Sequence, residues 1–297
     1  MSSAYQNERF KLPDGSIVGT GNNFDASAEK LVTSKPFPDE LMLDNADIQR
    51  LMKRRSLAKE RDHRRKRMQN QGRVGSCNAE MVVAGAHQLQ ESTGRPHVPL
   101  ASNHLYARIN GGRDNGSALA KGMRAMVDIG CGRRDLVPVQ TYNRRQQGNR
   151  LNEADADGMH RRIHEPYVLP DDFRTFVRAL ASAIARGMPV GLAWHVGGGS
   201  MRLRNGYIVH GRGAGNHATL GHSGKWVGGS DIIHPDIQNS WGPCIDPAYG
   251  VVSRGGWGDG GFGLTTPEAL FACRRYHTFY VFTSIIDDSR DTQNNPL

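Results

Sequence analysis

Asn70-Gln71-Gly72-Arg73-Val74-Gly75-Ser76-Cys77-Asn78-Ala79 is the stretch whose reading decides the fold. A glycine- and serine-containing turn gives way here to CNAEMVVAGAHQLQE (77–91), an apolar run of helical length with no proline and only Gly85 to weaken it. Cys77 therefore stands at the first turn of a helix. The unpaired N–H groups and the dipole at that end favour an anion, so a thiolate at Cys77 is stabilised. Position makes this thiol a candidate nucleophile. A cysteine entering a helix is also, more commonly, a small buried residue.

A thiolate nucleophile needs a side chain to carry the leaving-group proton and a second one to orient that carrier. His217, in GAGNHATLGHS (213–223), opens a predicted strand, and Asn239, in DIQNSWG (236–242), lies on a later one. His217 follows Cys77 by 140 residues, within the roughly 130 to 150 of papain-type enzymes. At this point the chain resembles the papain-like cysteine proteases. Gln71 and Cys77 meet the family's Q-x5-C spacing, His217-Ala218 its H-A motif, and Asn239-Ser240-Trp241-Gly242 its N-S-W-G motif. WGDGGFGL (257–264) matches the W-G-x-x-G-[YF] that usually follows. PLASNHLYARIN (99–110), the helix expected over 117–129 with its Gly-Cys turn, and IARGMPVGLAW (184–194) occupy the places of further family segments.

The resemblance implies an α+β, papain-like two-lobed fold, with a helical first lobe, an antiparallel β-barrel-like second lobe and the cleft between them. It implies a cysteine endopeptidase acting on a polypeptide substrate without cofactor or metal. Cys77 would attack the peptide carbonyl, His217 would carry the proton and Asn239 would orient the imidazole. The Gln71 amide and the Cys77 N–H would form the oxyanion hole, and Trp241 would shield the His217–Asn239 bond. Gly75 and Ser76 would line the cleft beside the nucleophile. Departures are informative. The family's C-G-S-C-W reads Val74-Gly75-Ser76-Cys77-Asn78, so the disulfide half before the nucleophile is missing and the aromatic after it is Asn78. The connection PCIDPAYGVVSRGG (243–256) is enlarged, and no long inhibitory prosegment is recognisable in residues 1–50. These features resemble bacterial or bacteriophage relatives more than secreted or lysosomal ones.

Composition narrows the remaining readings. The 297 residues carry a formal charge of +9, but residues 50–73 alone hold eleven basic side chains against two acidic ones. The rest of the chain is balanced, so a generally basic surface is excluded. The basic segment has three readings: a solvated helix end, a processing site at Arg64-Arg65-Lys66-Arg67, or a site for nucleic acid or another polyanion with steep salt dependence. No apolar run approaches the roughly 18 to 20 residues of a membrane span, and the polar start lacks the apolar core of a secretory signal. Four scattered cysteines are too sparse for a disulfide framework. A cytoplasmic or virion location is the expectation. His160 and His164, at i and i+4, lack the glutamate of a zinc-protease motif. Gly258 to Gly263 satisfies G-x-G-x-x-G without an early βαβ unit around it.

The chain is thus expected to comprise an extended arm (1–49), a basic helix or linker (50–69), a catalytic domain (70–286, helical to about 186 and β thereafter) and a tail (287–297). One helix is expected over about 46–67, others over 117–129 with Ser117 as cap and over 171–186 capped by Asp171 or Asp172. Besides the endopeptidase, two alternatives stand: a papain-fold structural or virion component docking on an assembly partner through residues 1–50 and the basic segment, and a cell-wall peptide hydrolase.

Overall fold

The structure is a computed structural model that describes residues 8–22, 35–92, 94, 96–110, 112–137, 148–212, 215–228, 232–246, 249, 256–274 and 277–287. Strands β1 (Arg9–Lys11) and β2 (Ile17–Gly19) form an antiparallel hairpin. The short β3 (Lys35–Pro36) leads to α1 (Asn45–Lys53) and α2 (Leu57–Arg65). The single helix expected over 46–67 is therefore two. Asp44 caps the first through the N–H of Asp47, and Ser56 caps the second through the N–H of Lys59. Each serves an orphan donor of a new helix start, which fixes the break between them. α1 turns Ile48 and Met52 inward.

α2 is not a solvated basic end. Arg61 donates to both carboxylate oxygens of Asp236, at 2.8 and 2.5 Å, and to Asp259 at 2.7 Å. Arg64 is buried and donates to Gln238 at 2.8 Å. Arg65 pairs with Asp62 and Asp259, and Arg67 with Glu91. Three carboxylates from distant parts of the chain, Asp236, Asp259 and Glu91, thus engage four of the basic side chains, while Lys53, Arg54, Lys59 and Lys66 are exposed.

The helical lobe follows: α3 (Cys77–Ser92), α4 (Ser102–Ile109) and α5 (Leu119–Asp128) pack on one another. A Cβ on Gly85 of α3 would stand 2.6 Å from the Phe282 ring, so this helix-weakening residue is what lets the aromatic reach the helix axis. Ser117 does not cap α5. Ala118 holds that position without a side-chain bond, and the Ser117 hydroxyl accepts from Asn78 instead. Asn78 also donates to the Ala118 carbonyl, so the residue after the nucleophile ties α3 to α5. α6 (Arg150–Gly158), β4 (Arg161–Ile163) and β5 (Tyr167–Val168) lead to α7 (Phe173–Ala185), capped by Asp172.

The remaining strands are β6 (Val190–Trp194), β7 (Leu203–Arg204), β8 (Tyr207–Ile208), β9 (His217–Val227), β10 (Ile232–Gln238), β11 (Phe262–Leu264), β12 (Tyr280–Val281) and β13 (Ile285–Asp287). α8 (Pro267–Arg274) interrupts them. The expected barrel is absent among the described residues. The strands form an open nine-stranded sheet in the order β3-β5-β12-β6-β9-β10-β11-β8-β7, in which β3·β5 and β11·β8 are parallel. Its two ends never meet, and β13 pairs with β4 elsewhere. α3 lies along the seam, touching α4 and α5 on one side and β9 on the other. The core is continuous across that seam, with Trp194, Trp241, Trp257, Tyr106 and Phe176 fully buried. Most of the 243–256 connection and all of the tail after Asp287 lie outside the described residues.

Candidate active site

Three elements bring the chemistry together. Cys77 is the first residue of α3 and His217 the first of β9, while Asn239 directly follows β10. Pairing of β9 with β10, Leu220 opposite Gln238, sets His217 and Asn239 side by side. His217 Nε2 lies 2.8 Å from Asn239 Oδ1. The Cys77 Sγ accepts from the backbone N–H of Ala218 at 3.4 Å, which places the thiol against the start of β9. With Oδ1 as an acceptor, Nε2 carries the imidazole proton and Nδ1 keeps its lone pair. Nδ1 is buried and has no hydrogen-bond partner among the described residues.

The Trp241 ring stacks on His217 with centroids 4.0 Å apart and an interplanar angle of 20°, and Trp194 meets the same imidazole edge-on. Gln71 is held between lobes: its N–H donates to the Ser240 carbonyl at 2.9 Å and its Oε1 accepts from the Ser240 hydroxyl. Its Nε2 donates to Val74 O at 2.7 Å and Gly19 O at 3.0 Å. Gly75 donates to Asp114 Oδ1 at 2.8 Å, and the Ser76 hydroxyl to Glu80 Oε1 at 3.3 Å. Arg64 and Arg65 are engaged in the α2 contacts described above, and Lys66 is the C-cap of α2. None of the four basic residues 64–67 joins the thiol. His160 and His164 gather no further ligands: among the described residues no group of three His, Cys, Asp or Glu side chains could hold a metal. Gly258, Gly260 and Gly261 have positive φ and shape the turn before β11.

The feature that sequence reasoning missed is what fills the cleft. Gly19 O accepts from Gln71 Nε2 and from Trp241 Nε1 at 3.1 Å, and Gly19 N–H donates to Gly72 O at 3.0 Å. Gly21 O accepts from Ser117 N–H at 2.6 Å, and Asn22 N–H donates to Asn216 O at 3.0 Å. The backbone of Gly21 passes between those of Gly75 and Gly116, so closely that a Cβ on Gly21 would stand 1.9 Å from Gly75 O. Glu8 receives the side-chain N–H of Asn216 at 2.7 Å. Gly19-Thr20-Gly21 supplies the residues without side chains that such close backbone contact requires, but nothing local in the sequence says what they meet.

Burial sets the electrostatics of both groups. It pushes the Cys77 thiol up to about 11, against the opposing N–H groups of Ala218, Gly21 and Asn78. It pushes His217 down to about 3, against the bond to Asn239. Both groups are neutral around pH 7 in this closed arrangement. The other cysteines are also buried, and burial raises Cys131 and pushes Cys244 up to about 11.

No protein-family model and no curated protein sequence matches the chain. Solved structures do. Xylellain, a cysteine protease from Xylella fastidiosa, superposes with a TM-score of 0.57 at 16% identity, over 95% of this chain and 96% of its own. The fold is papain-like. Digestive procathepsin L 3 of the Tenebrio molitor larval midgut gives 0.56 at 16% identity, over 93% and 83%. The Carica candamarcensis cysteine protease CMS1MS2, in complex with E-64, gives 0.51 at 18% identity, over 76% and 96%. The two-lobed papain-like architecture thus accommodates nearly the whole chain.

Proposed function

We propose that the chain is a cysteine endopeptidase held closed by its own residues 17–22. The reading rests on one arrangement: a thiol at a helix N-terminus lies against the backbone N–H of Ala218, next in the chain to a histidine whose far nitrogen is fixed by Asn239. With the cleft open, Cys77 Sγ attacks a peptide carbonyl carbon and its proton passes to His217 Nδ1. The carbonyl oxygen becomes an oxyanion where Gly19 O now accepts from Gln71 Nε2. One such preorganised donor lowers the barrier by about 3 kcal/mol. The imidazolium then protonates the leaving amine, which departs and leaves a thioester. Water, deprotonated by His217, releases the acid and returns the thiol. Asn239 holds the ring through both halves, and Trp241 covers the bond that does so.

The discriminating measurement is alkylation by a peptidyl epoxide, with the adduct mapped by mass spectrometry. The expected adduct is confined to Cys77 and disappears in His217→Ala. Equal, slow labelling of all four cysteines overturns the endopeptidase reading.

A further inference from the structure

Behind the nucleophile, between α3 and the ends of β9 and β10, lies a small cavity walled by Ala218 and Thr219 and lined also by Glu80, Gln69 and Asn239. Glu80 is one turn beyond Cys77 on α3, and the residue is 3% exposed. Oε1 takes the Ser76 hydroxyl. Oε2 is buried and makes no well-aligned hydrogen bond among the described residues, the nearby Ser102 hydroxyl included, and neither do Gln69 Oε1 and Asn239 Nδ2. Gln69 is oriented by its Nε2, which donates to Leu100 O at 3.5 Å. Three residues lining one water-sized cavity each carry an unpartnered buried polar atom, set in a wall that is otherwise mostly apolar and includes Met81 and Ala84.

We propose that Glu80 is a positioning residue: through one water held in this cavity it fixes the Asn239 amide with its carbonyl toward His217. The inference rests on the endopeptidase reading only for its consequence in catalysis. Counting hydrogens gives the reason. A water has two; Glu80 Oε2 and Gln69 Oε1 accept both, so the third neighbour must donate, and Asn239 can donate only through Nδ2. A flipped amide would turn Oδ1 to the cavity, leave one acceptor unserved and turn N–H groups toward His217. That would demand the other imidazole tautomer and put a proton on Nδ1, the nitrogen needed by the thiol.

The selection depends on the charge of Glu80. Burial pushes its carboxyl up to about 7, opposed by Arg134 and by the hydroxyls of Ser102 and Ser76. The thiols of Cys77, Cys131 and Cys244 also feel its charge. Once protonated, Glu80 can donate to the water, which frees a water hydrogen and makes either amide orientation admissible. The Nε2–H tautomer is therefore selected above about pH 7 and relaxed below it. His217 does not itself ionise in that range, because burial holds it near 3.

The test uses the full chain with ¹⁵N-histidine and long-range ¹H–¹⁵N spectra from pH 6 to 8.5, His217 being assigned by its loss in His217→Gln. The expected result is a His217 tautomer shift with a midpoint near 7 that is flat in the isosteric Glu80→Gln. A flat wild-type response, or the same titration in Glu80→Gln, overturns the proposal. A high-resolution crystal structure of the wild type supplies a second measurement that needs no variant to fold. A water within about 3.2 Å of all three atoms is expected; a dry cavity or a flipped Asn239 overturns the proposal. Neither readout needs turnover. A selected tautomer with an unreactive Cys77 would therefore refute the protease reading alone.

Discussion

Gly21→Ala is expected to raise the rate of Cys77 alkylation about ten- to a hundredfold. The backbone conformation of Gly21 admits alanine, so the effect comes from contact alone. Its Cβ would stand 1.9 Å from Gly75 O and 2.5 Å from Gly75 C, backbone atoms that no rotamer change can move aside. Gly75 is anchored by Asp114 and lies two residues before the nucleophile, whereas the arm is held by a few backbone hydrogen bonds. The arm is therefore the element that yields. Overpacking costs about 1 to 3 kcal/mol, and each 1.4 kcal/mol or so is a tenfold change in the open population. The pH dependence moves with it. With the arm seated, burial keeps the thiol up at about 11, and only a small thiolate fraction exists at neutral pH. Solvent entering the cleft removes that penalty and leaves the helix N-terminus and His217 to favour the thiolate, so the alkylation midpoint falls. Rates measured against pH, with circular dichroism confirming a native fold, decide the matter. A natively folded variant that reacts no faster would remove the closing role of residues 17–22.

The reasons this segment was illegible in the sequence also explain the rest of the record. α5 and α7 could be read because each carries a local period, and α7 an acidic cap as well, and α3 because its apolar run has helical length; β9 and β10 stood out as short segments between glycine-rich turns. Cys77, His217 and Asn239 were legible as positions because spacing is a property of the chain. Contacts such as Gly21 with Gly75, or Arg61 with Asp236, have no local signature, and a basic run reads the same whether its partners are solvent or buried carboxylates. Glu80 was passed over for a similar reason, since an acid in a first helical turn ordinarily needs no explanation beyond the dipole. α8 does carry a local signature: Thr266-Pro267-Glu268 is a helix start, with the Thr266 hydroxyl accepting from Ala269 N–H at 3.3 Å. The barrel expectation failed because strand content alone does not say whether a sheet closes.

Asp236→Ala should lower global stability by about 3 to 5 kcal/mol, the largest loss expected from any single exchange in the basic junction. Its side chain is fully buried and accepts from Arg61 Nε and Nη2 and from His222 Nε2, the last at 2.9 Å. Truncation strands a largely buried guanidinium and a buried imidazole, and Asp259, mostly exposed, is a poor replacement partner. Burial alone would raise the Asp236 carboxyl. The hydrogen bonds and charges of Arg61 and His222 outweigh it and hold the group below the usual carboxylate range. A depressed folded pKa contributes stability that is present above the unfolded value, near 3.9, and is lost as pH falls through the folded one. The gap between wild type and variant in urea unfolding should accordingly be wide at pH 7 and narrow below about pH 4. Asn239 lies three residues beyond Asp236, and Arg64 grips Gln238 between them. Loosening β10 should therefore also blunt the selective labelling of Cys77. A loss below about 1 kcal/mol at pH 7 would show that α2 does not staple the sheet, and would return the eleven basic side chains to the reading in which they await a polyanion.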